Sequence, residues 1–515
     1  MNPRIHLFPW LALALFSLLL SLPYVHTCGD DSFIYFRLIE NFLSTGRLEY
    51  NPGEPCYAMT SVTFFFTMAE LVRWLGLTGG RYAISLIGHF FAVGALYALG
   101  RRLIRTRAVL GVVLAAILLD PFYLRWFWAG WEMSFKIGAA ALALWALLRA
   151  GESGGGRWGF LAGLAAGFAV LTRPEMLFLT VLGALYLAVR RVPFGASGGW
   201  RTLSGFAAGW LLLAGPWMLF AQSYFGWALP HTVYAKAGGF ATLAYLQGFL
   251  VKFLQILFVP ALPVYGWMAW MAAGVRPVSR WLACARKGWM PDPRDRLLVA
   301  LWASMVAGYL IRGVYIDGIK IGLFSPFVIL TAGALGDSAM RLQGREWKPW
   351  MAGCGILILV LLSVGVQSRL FYRYACWNPR YAGGDDAGFI EFAKRVKART
   401  PPDARIGIAE LGVVGYFSGR YMIDYVGLAT PQLVTYQMET GSKLAAVQKY
   451  YELHGGPASH VVQEFRFNPV RAPATCDFWG YSYRLIDSER VARIAGRARK
   501  GEYSIYGLYE RIPDP

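Results

Sequence analysis

Charge is scarce in this 515-residue chain: Asp, Glu, Lys and Arg make up 16% of it, against 56% hydrophobic residues. So little charge on so long a chain excludes an ordinary soluble protein, and the mean hydropathy of +0.42 agrees. Acidic residues are the scarcer sign, 30 against 50 Lys and Arg, which leaves a formal net charge of +20. A basic balance can signal nucleic-acid binding. Here most of the excess sits in short loops between apolar runs: Arg101, Arg102, Arg105 and Arg107; Arg190 and Arg191; Arg280, Arg286 and Lys287; Arg341, Arg345 and Lys348. That is the positive-inside pattern of a membrane protein, and no nucleic-acid partner is expected. Alternating apolar patterning is also missing. The apolar runs are continuous and several reach roughly 20 residues, which argues against a β-barrel and for spanning helices.

Other absences narrow the reading further. No small-x-small cleavage site follows the apolar run 7–24 behind Arg4, so this run reads as a retained first helix rather than a signal peptide. Cys28, preceded by His26 and Thr27, is a poor match to a lipoprotein site. Gly412 and Gly415 lack the spacing of a dinucleotide fingerprint. There is no clear internal repeat of the kind transporters carry. No dense His/Asp/Glu cluster demands a metal.

The charge clusters set the expected topology. Segment 61–77 is apolar but contains Glu70 and Arg73. If it spanned, every later basic cluster would face outside; if it lies on the outer surface as an amphipathic helix, each falls inside. The spans are then expected at 82–100, 108–120, 133–148, 158–171, 176–189, 203–222, 250–273, 297–311, 321–335 and 351–366, about eleven with the first helix. The N-terminus lies in the cytoplasm, and residues 25–81 form a first outer loop with juxtamembrane helices. After residue 366 the composition turns polar. Residues 367–515 read as an outer α/β domain, with a helix over 389–400 stopped by Pro401 and Pro402. Strands are expected at 405–409 and 421–426, around a Gly-rich turn. The fold class expected is a polytopic α-helical inner-membrane protein with a C-terminal outer α/β domain. Cys28, Cys56, Cys376 and Cys476 all fall outside in this topology. An oxidising compartment permits disulfides there, with Cys28–Cys56 and Cys376–Cys476 the favoured pairs and free thiols the alternative.

The first outer loop carries the chemistry. Its sequence Gly29-Asp30-Asp31-Ser32-Phe33-Ile34-Tyr35-Phe36-Arg37 places two adjacent carboxylates just past the first helix, near the membrane. Partial desolvation there makes a carboxylate a usable general base, whereas a plain loop or helix caps need nothing more. Arg173, Lys236 and Lys320 face the outer headgroup level in this topology, and ionisable groups at that depth are functional candidates. Lys236, after Tyr234, is the first choice to hold a phosphate. Arg173 would do the same or pair with Glu175, and Lys320 would bind phosphate or anchor the next helix. Glu132 stands four residues before Lys136, the favoured ion-pair spacing, or serves the site instead. His231 meets substrate or is a plain loop histidine. Trp479, Tyr481 and Tyr483 would stack on sugar rings or fill a core.

An Asp-Asp pair in the first outer loop followed by a juxtamembrane helix resembles the GT-C superfamily of glycosyltransferases. Residues Asp30 to Arg37 with Asn51-Pro52-Gly53-Glu54 resemble most one branch, the terminal β-(1→2) arabinofuranosyltransferases that use decaprenyl-phosphate-arabinofuranose. Gly130-Trp131-Glu132, Thr172-Arg173-Pro174-Glu175, the loop from Phe225-Gly226 through Leu229-Pro230-His231-Thr232-Val233-Tyr234-Ala235-Lys236, Tyr416-Phe417 and Asp424-Tyr425-Val426-Gly427-Leu428 are similar to further motifs of that branch, in the same order. His231 stands where that branch has Asn. The resemblance implies a GT-C fold and an inverting transfer of a sugar, arabinofuranose first, from a polyprenyl-phosphate donor to a glycan, glycolipid or glycoprotein acceptor. Asp30 or Asp31 would be the base. Donor-side residues would be Lys236, His231, Tyr234, Arg173, Glu175, Glu132 and Lys320. No cofactor is required, and a divalent metal beside Asp30 and Asp31 is an open option. The alternatives are a mannosyl- or other hexosyltransferase of the same superfamily, a transporter of lipid-linked sugars, and a non-catalytic partner in the cell envelope.

Overall fold

The computed structural model describes residues 8–235 apart from 27, 121–122, 125–126 and 191–194, scattered positions between 326 and 361, and residues 387–513 apart from 466–470 and 493–502. The expected spans at 250–273 and 297–311 lie outside the described residues, as do most positions of those at 321–335 and 351–366.

The described residues begin with apolar helix α1 (Phe8–Ser21), followed by a polar turn into α2 (Asp30–Thr45), which ends on Gly46 in the left-handed region. Helix α3 (Val62–Leu103) starts at Ser61, whose hydroxyl accepts from the Phe64 N–H, and breaks at Gly76, where φ is 69°. The break divides α3 into the amphipathic segment expected on the membrane surface and the span that follows. Before it, Glu70 and Arg73 pair with each other and Trp74 is 81% exposed. Only glycine takes that φ cheaply, so Gly76 fixes where the chain turns.

Helices α4 (Arg107–Leu118), α5 (Met133–Ser153), α6 (Gly156–Thr172), α7 (Leu177–Arg190) and α8 (Gly195–Phe225) complete the described bundle, followed by the short α9 (His231–Ala235). Among the described residues, three helices are long and apolar enough to cross a membrane, and shorter apolar helices stand beside them. The packing is explained by glycine. A Cβ on Gly159, Gly163, Gly205 or Gly209 would strike main-chain atoms of the facing helix in the α6–α8 pair. Small residues let helix backbones meet where lipid gives no hydrophobic drive for association.

The C-terminal domain is a six-stranded sheet in the order β2-β1-β3-β6-β5-β4: β1 (Arg405–Ile408), β2 (Tyr421–Asp424), β3 (His460–Phe465), β4 (Thr475–Phe478), β5 (Tyr481–Ala492) and β6 (Tyr503–Arg511). Its first half is parallel and its second half antiparallel. Helix α10 (Ala387–Arg399) packs on β5. The segment read as a Gly-rich turn between β1 and β2 is instead helix α11 (Leu411–Ser418), because parallel strands need a crossover rather than a tight turn. Helices α12 (Pro431–Thr440) and α13 (Lys443–Leu453) follow β2.

One hydrophobic core joins what the sequence separates by more than three hundred residues. Phe33, Phe36, Tyr50, Met59 and Phe65 from the first loop and its helices share it with Phe392, Val413, Met422 and Leu508 of the sheet domain. No Cys28–Cys56 disulfide forms. The Cys56 thiol is enclosed in this core against the backbone of Tyr50 and Ala58, and burial pushes it up to about 12. Cys376 lies outside the described residues, and Cys476 sits on β4 opposite Tyr483.

Candidate active site

Asp30 and Asp31 open the first turn of α2 behind Gly29. The loop 129–132 packs directly beneath them. Gly29 donates to the Ala129 carbonyl, Ser32 Oγ donates to the same oxygen, and a Cβ on Gly29 would collide with the Trp131 indole. Asp30 does not cap its own helix. Its two carboxylate oxygens accept from Gly412 N (3.1 Å) and Val413 N (2.7 Å), the first turn of α11 in the sheet domain. These amides have no partner within their own helix, and the positive end of the helix favours a carboxylate.

The rest of the first loop is wired to the same domain. Arg37, buried and lying 4.4 Å over the Tyr50 ring, donates to the carbonyls of Tyr50, Gly415 and Arg420. Asn51 acts as a backbone mimic. Its Nδ2 donates to Met422 O (2.8 Å) and its Oδ1 accepts from Met422 N (3.0 Å), extending β2 by one side chain. Tyr421 donates to Glu54, Tyr50 to the Leu411 carbonyl, and Tyr416 to Glu40. Phe33 packs on Tyr416 and Phe417. Gly412 and Gly415 are needed because a Cβ there would collide with Asp30 and Tyr50. Asp424 is fully buried and accepts from the N–H groups of Val426, Leu428 and Ala429, shaping the turn after β2. Burial raises its carboxyl above the usual range, and these amides oppose the shift. The widely spaced motif residues 30–54 and 412–428 therefore meet in a single seam.

A second cluster lies at the same ends of the helices. Glu132 precedes α5, and Arg173 sits between α6 and the short turn 174–176. The Arg173 guanidinium reaches Glu132 Oε1 at 2.6 Å, and Glu175 through both Nε (3.0 Å) and Nη2. Glu132 and Arg173 are buried. Sequence spacing pointed to Lys136 as the partner of Glu132, but the structure brings Arg173 to Glu132 across 41 residues. Lys136 is itself buried. Next to Arg173, the Thr172 hydroxyl meets that of Thr63 at 2.8 Å. Tyr35 takes the Ser61 N–H on its oxygen at 2.9 Å and senses the charges of Glu132 and Arg173. Its hydroxyl is raised well above its ordinary range by burial first and by Glu132 second.

His231 forms the third wall. Its backbone donates to Tyr57 O (3.1 Å), and its Nδ1 accepts from Tyr57 N (3.2 Å), so the ring proton resides on Nε2. Burial pushes the ring down to about 4, with the Leu428 carbonyl opposing the shift, so the imidazole is neutral. Tyr57 stacks on Phe225 and its hydroxyl accepts from Trp217. Trp227 and Tyr234 are in contact, with centroids 4.4 Å apart. Lys236 and Lys320 lie outside the described residues. The sequence reading included Tyr35 and Arg37 in its motif without giving either a role, and passed over Tyr57. A buried-arginine argument for Arg37, which follows a run of apolar residues, would have singled it out.

Comparison with known proteins fits this geometry. A family model described as dolichyl-phosphate-mannose-protein mannosyltransferase matches residues 78–220, and one described as a domain of unknown function (DUF8728) matches residues 380–506. No curated protein sequence matches the chain. The structure of ArnT from Cupriavidus metallidurans bound to undecaprenyl phosphate is 15% identical, covers 90% of this chain and 93% of its own, and superposes with a TM-score of 0.56. The Archaeoglobus fulgidus oligosaccharyltransferase tethered to an acceptor peptide is 13% identical, with 89% of this chain and 69% of that one covered and a TM-score of 0.51. The chain is a multi-pass membrane protein with the GT-C fold, a helical membrane part followed by a C-terminal sheet domain.

Proposed function

We propose that this protein is an inverting, polyprenyl-phosphate-dependent glycosyltransferase of the GT-C type, with arabinofuranose as its sugar. The carrying observation is that the Asp30–Asp31 turn rests on the loop bearing Glu132, whose carboxylate holds Arg173, at one end of the helix bundle. In this reading that end and the sheet domain face outside the inner membrane, where a lipid-linked donor lies in the outer leaflet. The fold is shared with a protein solved with undecaprenyl phosphate. The sugar rests on the order of motifs from Asp30 to Leu428, and a hexose such as mannose is the competing reading because the matched family model names it.

The roles divide as follows. Asp30 spends both oxygens on the α11 amides and holds the turn in place, so Asp31 is assigned as the base. Asp31 takes the proton of an acceptor hydroxyl. That oxygen bonds to the anomeric carbon from the face opposite the phosphate, and the bond to the lipid phosphate breaks with its electron pair leaving on the phosphate oxygen. The configuration inverts. The donor carries its own leaving group, so no nucleotide takes part. Arg173, held by Glu132 and Glu175, fixes the floor of the site. Lys236, next in the chain after α9, together with Lys320 is assigned to the leaving phosphate, where a cation stabilises the charge that develops. Neutral His231 and Tyr234 border the same space.

The test is transfer from synthetic polyprenyl-phosphate-arabinofuranose, and from polyprenyl-phosphate-mannose, by purified wild type, Asp31→Asn and Asp30→Asn. Loss of about 10²–10⁴-fold in Asp31→Asn with folding intact is expected for removal of a general base. Wild-type activity with mannose alone would replace the sugar, and unchanged transfer in Asp31→Asn would remove it as the base.

A further inference from the structure

The turn joining β4 to β5 holds a feature that the candidate active site does not use. Phe478 pairs with Tyr481, so the hairpin loop is two residues, Trp479 and Gly480. Both have positive φ, 55° and 89°, as a type I′ turn requires. Asn, Asp or Gly normally fill the first of these positions. An indole there costs on the order of 1 kcal/mol in backbone strain. Trp479 is the one non-glycine residue with positive φ among the described residues. Its ring is only partly buried, and its Nε1–H is shielded from water with no acceptor among the described residues. A donor left in that state costs free energy until something accepts from it. The ring lies 5.7 Å from Tyr425 and 5.5 Å from Phe478, with the Lys443 ammonium 6.0 Å from its centroid. Tyr483, by contrast, is fully buried with its hydroxyl on the Ala458 carbonyl, and is core.

The position matters as much as the strain. Tyr425, which Trp479 touches, opens the turn 425–429 whose Leu428 carbonyl faces His231. Helix α9, which carries His231 and Tyr234, packs against α12 just beyond that turn. The hairpin tip is thus two steps from the loop assigned to the donor.

We propose that Trp479, fixed at the hairpin tip and only partly buried, is a stacking platform for a saccharide of the acceptor. The apolar face of a sugar ring suits a partly exposed indole. This proposal deepens the transferase reading, since it names the acceptor as a glycan.

The decisive variant is Trp479→Asn, because Asn suits the turn better than Trp and removes the platform without weakening the hairpin. Binding is measured by calorimetry on the full chain in detergent, with a linear arabinofuranosyl hexasaccharide and a linear mannosyl hexasaccharide as probes. Transfer to whichever probe binds is measured alongside. The expected result is at least a tenfold weaker Kd and a tenfold higher acceptor KM in Trp479→Asn, with donor KM, donor hydrolysis by water and thermal midpoint unchanged or improved. Trp479→Phe should lie between. Wild-type affinity in Trp479→Asn, binding of neither probe by wild type, or a lower midpoint marking the indole as core would each overturn it. The calorimetry does not depend on transfer, so failure of the transferase reading shows separately as absent donor turnover.

Discussion

The two groups of motif residues behave differently. The Glu132–Arg173–Glu175 cluster is charge on charge: one guanidinium serves two carboxylates in a nearly dry place, and the residues complete one another. In the seam, the side chains of the first loop address the main chain and a few hydroxyls of the sheet domain. Asp30 takes two amides, Arg37 gives to two carbonyls, and Asn51 pairs with both backbone groups of Met422. The cluster concentrates its energy in a single cation. The seam spreads its own over many bonds, each worth about 1 kcal/mol net. Desolvated charge is expensive to leave alone, whereas a main-chain group that loses one partner leaves the others in place.

The comparison can be broken by mutation. Arg173→Ala leaves the buried Glu132 and the partly buried Glu175 without this cation and should cost about 3–5 kcal/mol. Thermal unfolding in detergent should show a collapse, with Arg173→Lys retaining part of the stability because it keeps the charge and loses the fork. If Arg173→Ala unfolds no earlier than wild type, the cluster is not the keystone described here.

Acid tests the histidine that closes the seam from the other side. Folded His231 titrates at about 4, below the ordinary value near 6.5. Unfolded chains therefore bind the proton more readily than folded ones. Its contribution is present above about pH 6.5 and is lost as pH falls toward 4, with a ceiling of about 3 kcal/mol. A His231→Gln variant should lower stability at pH 7.5 and flatten the change between pH 7 and 5; an unchanged slope would show that other groups carry it.

Asn51→Ala strips both main-chain groups of Met422 and should cost about 2 kcal/mol. Hydrogen exchange should rise at Met422 while the amides around Glu132 stay protected, which separates the two regions directly. Tyr416→Phe removes a single part-exposed bond to Glu40, with an expected loss of about 0.5–1 kcal/mol. A loss as large as that of Asn51→Ala would mean the seam is not the sum of small terms.

Much of this was legible beforehand, for identifiable reasons. Apolar runs announced the helices because a bilayer permits little else. Helix α10 and strands β1 and β2 fell close to their expected places because the Pro401-Pro402 stop and the short apolar runs at 405–409 and 421–426 are local signals. Helix α11 was missed because two glycines in eight residues argue against a helix; their reason is the approach of Asp30 and Tyr50, which no local signal contains. The sequence left Arg173 evenly divided between a phosphate ligand and a structural residue paired with Glu175. Its second carboxylate, Glu132, comes from another helix.

The sequence by itself determined that the chain is a helical membrane protein with a polar C-terminal domain. That follows from hydropathy, charge and local periodicity, which act over a few residues. The tertiary structure alone decided that residues 30–54 and 412–428 form one seam, that Asp30 faces α11, and that Glu132 pairs with Arg173. These are contacts between groups 41 to 383 residues apart. Their partners are set by how helices and strands pack, and a backbone amide or carbonyl looks the same at every position in a sequence.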